Sequence, residues 1–344
     1  MADLLTLTEQ GLYCAAGDFF IDPWPRVGQP PPRRAIVTHG HADHARPGSA
    51  SYLATPETAA IMRQRISKDL PVDTLGYGTP IAIGDVEVSL HSAGHVLGSA
   101  QVRVSNGRET WVVSGDYKRD PDPTCAPFEV VPCTTFITEA TFALPIYRWR
   151  DGSAVVQDIA DWWRGNADRN TTSVLFCYAL GKAQRVLGEL AALAAAERPL
   201  PATEVLLHGA MTPLIRLYEQ QGVRLFPSQP LSAIDDPGAL PGALVLAPPS
   251  AAGSPWMRRF KKHRTGFVSG WMRVRGNRRR RGYDRGFVLS DHADWPGLVD
   301  TVTATGAERV LATHGKTDVL VRYLRERNVA AAALSTRFGE EESP

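Results

Sequence analysis

Seven residues that follow one short apolar run, Thr38-His39-Gly40-His41-Ala42-Asp43-His44, narrow the fold more than any other feature of the chain. The run Ala35 to Val37 reads as a buried strand, and the polar segment comes where a strand end hands its loop to solvent. Three imidazoles and a carboxylate within six residues are too crowded for core packing and have the chemistry of divalent-ion ligands. His95, His292 and His314 each stand at or just after the end of another predicted strand, and Asp116 in Ser114-Gly115-Asp116 is placed similarly. The pattern therefore asks for a sheet whose loops carry the unusual residues.

The first part of the chain has further short apolar runs at Val86 to Leu90, Ala100 to Val104 and Trp111 to Val113. Thr55-Pro56-Glu57 is a helix start, with Thr55 as N-cap and Pro56 in the first turn, which predicts a helix from Pro56 to about Lys68. From about Trp149 the pattern changes to alternating helix and strand. Ser153 to Trp163 and Lys182 to Ala196 read as helices, and Ser173 to Cys177, Glu204 to Leu207 and Ala243 to Ala247 as strands, an α/β arrangement with a parallel sheet. Strands return at Gly286 to Leu289 and Arg309 to Ala312, with helices from about Asp294 and Lys316. With 344 residues the chain exceeds one average domain.

Charge is distributed unevenly. Between Arg258 and Arg285 twelve Arg and Lys face the single acid Asp284, although the whole chain carries only +2, so the remainder is net negative. Such asymmetry points to a polyanionic partner. The four cysteines, Cys14, Cys125, Cys133 and Cys177, form no CxxC pair, which argues against a disulfide framework and a cysteine-built zinc site. The start, Met1 to Gln10, carries Asp3 and Glu9 and no segment approaches eighteen apolar residues, so the expected location is the cytoplasm.

HxHxDH at His39 to His44, then His95 in Ala93-Gly94-His95, Asp116 in Gly115-Asp116 and His314 in Thr313-His314-Gly315, resembles the signature of the metallo-β-lactamase superfamily. The resemblance implies two metal ions, one held by His39, His41 and His95, the other by Asp43, His44 and His314, with Asp116 bridging. It also implies that Asp22, in Ile21-Asp22-Pro23, supports the cluster by hydrogen bonds; Asp18 is the weaker candidate. The mixed nitrogen and oxygen set suits zinc and also accepts manganese. Two such ions are expected to provide a hydroxide at neutral pH and to clamp a phosphoryl oxygen.

Phe136-Ile137-Thr138-Glu139-Ala140-Thr141, Ser290-Asp291-His292-Ala293-Asp294 and Thr313-His314-Gly315 resemble the three further motifs of the β-CASP nucleases. The fold then implied is an αββα metallo-β-lactamase sandwich, residues 1–148 and 286–344, interrupted by an α/β β-CASP cassette, residues 149–285. Asp43, His292 and Glu139 become the candidate catalytic side chains. A nucleotide alkoxide leaves poorly without a proton, which His292 is suited to supply while Glu139 orients its ring. Lys182 and Arg185, at the start of a helix, and the run Arg278, Arg279, Arg280 and Arg281 are the candidate nucleic-acid contacts.

Finer texture, in Gly11-Leu12-Tyr13-Cys14, His95-Val96-Leu97-Gly98-Ser99-Ala100-Gln101 and Ser114-Gly115-Asp116-Tyr117-Lys118, is most similar to the bacterial DNA ligase-associated exonucleases. That similarity implies DNA as substrate, a role in repair, and functional association with a DNA ligase and a helicase. His314 pulls the other way, because RNA-processing relatives carry a histidine there and eukaryotic DNA-processing ones typically lack it. An RNase J-like ribonuclease is the alternative. A non-catalytic nucleic-acid scaffold is disfavoured because such subunits have usually lost ligands, and a small-molecule lactamase or thioesterase leaves His292 and the arginine run without a purpose.

Overall fold

The computed structural model describes residues 3–26, 28–234, 240–274 and 282–336. They fall into two compact units: the chain up to Pro121 with Cys125–Arg148 and the part from His292 onward, and Asp122–Thr124 with Trp149–Asp291. The architecture is mixed α/β with three sheets.

In the first unit, strands β1 (Thr6–Thr8), β2 (Gly11–Cys14), β3 (Phe19–Ile21), β4 (Ala35–Ile36), β5 (Tyr52–Ala54) and β6 (Val72–Thr74) make one sheet in sequence order. Helix α1 (Pro56–Arg65) starts where the sequence places it: Thr55 Oγ1 accepts the N–H of Thr58 at 3.2 Å, and Pro56 gives up an N–H that no helix can use. Strands β7 (Ile81–Ile83), β8 (Val86–Ser92), β9 (Ala100–Ser105), β10 (Thr110–Val113) and β11 (Thr135–Glu139) follow in a second sheet.

The second unit is built on one sheet of β12 (Thr172–Phe176), β13 (Val205–Leu207), β14 (Ser228–Pro230), β15 (Leu244–Ala247), β16 (His263–Val268) and β17 (Arg285–Phe287). Every pairing in it is parallel, as the alternation of helix and strand requires. Helices α2 (Gly152–Ala167), α3 (Lys182–Ala195) and α4 (Thr212–Gln220) pack on one face through Ile159, Trp163, Leu187 and Ile215. The strand expected to open the return segment is thus the edge of this sheet: Phe267 and Val268 pair with Gly286 and Phe287, and the unit runs past 285 to Asp291.

The chain then completes the first unit with α5 (Trp295–Thr305), β18 (Arg309–Thr313), α6 (Thr317–Arg325) and β19 (Ala330–Ala333). β18 pairs parallel with β11 and β19, which extends the second sheet to seven strands. Alternate residues set the layers. Leu12, Ile21 and Leu53 of the first sheet meet Val88, Val102 and Trp111 of the second in a shared core. Ala35, Tyr52 and Ala54 turn outward to Ala59 and Met62 of α1. Val112, Phe136 and Val310 turn to Leu298 of α5 and to Leu320 and Leu324 of α6. The first unit is therefore a helix, sheet, sheet, helix sandwich. Among the described residues no helix is long and apolar enough to cross a membrane.

Candidate metal centre

The titratable side chains converge because each leaves the same ends of the two sheets of the first unit. β4 delivers His39, His41, Asp43 and His44, the turn after β8 delivers His95, β10 delivers Asp116, β11 ends on Glu139, and β18 delivers His314. One atom each of His39, His41, His95 and Asp116 lies within 4.8 Å of the others, and the same holds for Asp43, His44 and His314. Asp116 Oδ2 stands 3.5 Å from His39 Nε2, 3.6 Å from His44 Nε2 and 3.8 Å from His95 Nε2, so it faces both groups. These seven are the side chains singled out as ligands, and they gather in two groups.

Local backbone chemistry holds these positions. Gly115 has φ +57°, and a Cβ on it would lie 2.7 Å from Thr38 Oγ1. His314 is held at φ +59° and Gly315 at +61°, where a Cβ would collide with the Ala140 carbonyl oxygen. A left-handed non-glycine residue persists only where its surroundings over-determine it, and here it sits at the site. Asp22, also left-handed at φ +45°, accepts the Thr38 N–H at 2.8 Å and the Thr38 hydroxyl at 2.6 Å, and its Oδ2 is 2.7 Å from His44 Nδ1. Asp18 is exposed and accepts instead from Tyr13 Oη at 3.0 Å. Ser99 Oγ takes the N–H of His95 at 3.0 Å and of Val96 at 3.2 Å, fixing the turn that presents His95. Thr38 and Ser99 carried no signal in the sequence, since a hydroxyl between an ion ligand and a strand looks like any other.

The electrostatics fit cations. Burial, helped by neighbouring imidazoles, keeps His39 well below the usual histidine range, so its ring is neutral and has a lone pair to offer. Burial likewise holds His314 low. Against the lowering effect of burial, the carboxylates of Asp43, Asp116 and Asp22 push His44 up to about 10. Burial, reinforced by Glu139 and Asp43 against the opposing His44, raises Asp116 to about 7. His39 Nε2, Asp43 Oδ1 and Asp116 Oδ1 are buried without a hydrogen-bond partner among the described residues, a costly arrangement for polar atoms. The donor set and its unsatisfied atoms suit divalent metal ions.

Beside the ligands lies a second pair. His292 Nδ1 is 2.9 Å from Glu139 Oε2 and 3.1 Å from Oε1, Glu139 is fully buried, and Oε1 also accepts the Tyr117 N–H at 2.7 Å. Asp116, Glu139 and His292 offer atoms within 4.8 Å of one another. The remaining histidines have ordinary duties. His91 bonds Glu129 at 2.8 Å and Ser89 at 2.9 Å, His208 caps a short turn, and His263 bonds the Phe260 carbonyl at 2.9 Å.

The expected phosphate contacts stand differently. Lys182 and Arg185 do open α3, but both are buried and ion-paired, Lys182 with Asp291 at 3.0 Å and Arg185 with Asp122 at 3.4 Å. Their charges face carboxylates of the second unit, so the contact to a nucleic-acid strand foreseen for them does not fit their placement. Arg278, Arg279, Arg280 and Arg281 lie outside the described residues. Of the same basic stretch, Arg258, Arg259, Lys261, Lys262, Arg264, Arg273 and Arg285 are exposed.

No family model matches the chain. It is similar to a probable DNA ligase of Opitutus terrae, 34% identical over 306 residues, which is 88% of this chain and 29% of that protein. Shorter stretches resemble the endoribonuclease ysh1 of Aspergillus fumigatus, 28% identical over 121 residues (34% of this chain, 13% of that protein), and Integrator complex subunit 11 of Danio rerio, 27% over 132 residues (38% and 21%). The chain therefore spans less than a third of the length of each of these relatives. Among solved structures, a protein of unknown function from Enterococcus faecalis V583 matches with a TM-score of 0.59 over 89% of this chain and 80% of the other, at 13% identity, a likeness of fold.

Proposed function

Because the chain belongs to the β-CASP nuclease family of the metallo-β-lactamase fold, we propose that it hydrolyses phosphodiester bonds of DNA with the help of two divalent metal ions, as an exonuclease in DNA repair. The observation that carries this reading is the buried Glu139–His292 pair next to Asp116. A thioester expels a thiolate that departs without a proton, whereas a departing nucleotide alkoxide needs one.

His39, His41 and His95 would hold one ion, Asp43, His44 and His314 the other, with Asp116 shared. Bound there, zinc or manganese supplies Lewis acidity and a nucleophile derived from water at neutral pH. Asp43 Oδ2 lies 3.6 Å from His44 Nε2, close enough for the two side chains to hold the same ion. Glu139, anchored by the Tyr117 N–H, accepts from His292 Nδ1 and stabilises the imidazolium form. The other ring nitrogen then delivers the proton to the leaving oxygen. The second unit serves as the β-CASP cassette, and its exposed cations, with Arg278 to Arg281, hold the phosphate backbone.

The similarity to a probable DNA ligase over most of the chain favours DNA and a working association with a ligase; association with a helicase rests on the family resemblance alone. The similarity to an endoribonuclease supports RNA as the second reading. Incubating the protein with end-labelled DNA and RNA, adding zinc or manganese in turn, tests both. Metal-dependent shortening of DNA from its ends is expected; faster loss of RNA would transfer the assignment, and intact polymers under every condition would end it.

A further inference from the structure

Lys182, Arg185, Asp122 and Asp291, charged side chains that this reaction leaves unused, lie buried together in the second unit. Lys182 is fully buried at the first turn of α3, with Nζ 3.0 Å from Asp291 Oδ2. One turn on, Arg185 places Nη1 3.8 Å from Asp291 Oδ1 and Nε 3.4 Å from Asp122 Oδ2, and its guanidinium donates to the Ser290 carbonyl. Space for it comes from Gly152, where any Cβ would collide with the guanidinium. Asp122, Pro123 and Thr124 are held on the same helix, since a Cβ on Gly188 would stand 2.6 Å from Thr124 Cγ2.

Burying ions costs more than pairing them returns unless the geometry is good, and apolar side chains of like volume would pack as stably. What the charges add is direction. Arg185 holds the Ser290 carbonyl by a hydrogen bond while Lys182 draws the Asp291 carboxylate to 3.0 Å, which a methyl group does not do. The residues so fixed, Ser290 and Asp291, directly precede His292, and Asp122 follows Asp116 by six residues.

We propose that Lys182 and Arg185 are positioning residues: through Ser290 and Asp291 they fix the backbone from which His292 projects, and with it the aim of the imidazole. The inference rests on the reading of His292 as the proton donor. A cluster that only stabilises the fold affects every substrate alike, whereas a cluster that aims a proton donor matters in proportion to how badly the leaving group needs a proton.

Lys182→Met in the full chain separates the two. Turnover of nucleic acid should fall by about 10²-fold, the scale of a small misplacement of a reacting group, while turnover of a nitrophenyl phosphodiester and bound metal stay at the wild-type level. A readout free of activity is the downfield NMR signal of the His292 Nδ1–H, assigned by its loss in His292→Ala; it should broaden or disappear in Lys182→Met. Lys182→Arg should keep much of both. Where Lys182→Met does not accumulate as folded protein, Lys182→Met with Asp291→Asn, which leaves neither charge stranded, takes its place with the same expected outcome. Equal losses on both substrates, or an unchanged signal with unchanged nucleic-acid turnover, would overturn the proposal. Should wild type cleave neither substrate, the proposed function fails instead, and the NMR signal alone decides the positioning role.

Discussion

Asp22 Oδ2 lies 2.7 Å from His44 Nδ1 while Asp22 Oδ1 takes the backbone N–H of Thr38 at 2.8 Å, so one buried carboxylate braces both ends of the ligand loop. It fixes which His44 nitrogen faces the centre and makes that nitrogen more basic. Asp22→Ala should weaken metal binding about 10- to 100-fold, read by titration against a chelator of known affinity. Wild-type affinity in that variant would show that the brace is incidental.

The Glu139–His292 pair predicts a selective defect. His292→Ala should slow nucleic-acid cleavage by about 10² to 10⁴ and barely affect a nitrophenyl phosphodiester, whose leaving group departs without a proton. Steady-state rates on the two substrates are the measurement, and parallel losses would reassign His292 to support of the ligands.

Gly315 allows no side chain. Its Cβ would strike the Ala140 carbonyl and approach Thr141 Cα to 2.7 Å, at a φ of +61°. Gly315→Ala should therefore destabilise the protein by about 1–3 kcal/mol in denaturant unfolding. Because His314 is the preceding residue, bound metal per chain should fall too; full stability with full metal would contradict the packing described.

Cys177 is fully buried, and burial raises its thiol to about 12 from an ordinary 9.0, Asp291 adding to the rise and Lys182 opposing it. The folded protein disfavours the thiolate, so the stability linked to this group is complete below pH 9.0 and is lost as pH rises toward 12. Cys177→Ala should flatten the alkaline fall in stability, and native Cys177 should resist iodoacetamide at pH 8 until the chain is unfolded. Rapid native labelling, located by mass spectrometry, would refute the burial. Cys14 is buried as well, whereas Cys125 and Cys133 are partly exposed, so buried thiols account for two of the four.

For the arginine run, replacing Arg278 to Arg281 with alanine should weaken single-strand binding and flatten the slope of log K against log salt by up to about 0.7 per lost contact. Hydrolysis of a nitrophenyl phosphodiester should survive, because backbone contacts position a strand and do no chemistry. An unchanged slope for DNA and for RNA removes these residues from the binding surface.

By itself the sequence determined the local elements and the cast of the site. Thr55-Pro56 starts a helix because capping is settled within four residues, and the helix–strand alternation after Trp149 requires parallel pairing because a crossover must return the chain to the same edge. The clustered side chains were legible because few residue types bind metal and a strand end is where they are presented. Only the tertiary structure decided what depends on distant partners. Asp22 rather than Asp18 meets the ligand loop because β3 and β4 are parallel neighbours and Asp22 alone turns inward beside Thr38. Lys182 and Arg185 carry the same charges on the same helix start that the sequence shows, yet Asp291 and Ser290, more than a hundred residues onward, turn those charges inward. A charge declares its sign locally, but whether it faces water or a carboxylate is set by long-range packing, where the desolvation cost and the partner that offsets it come together.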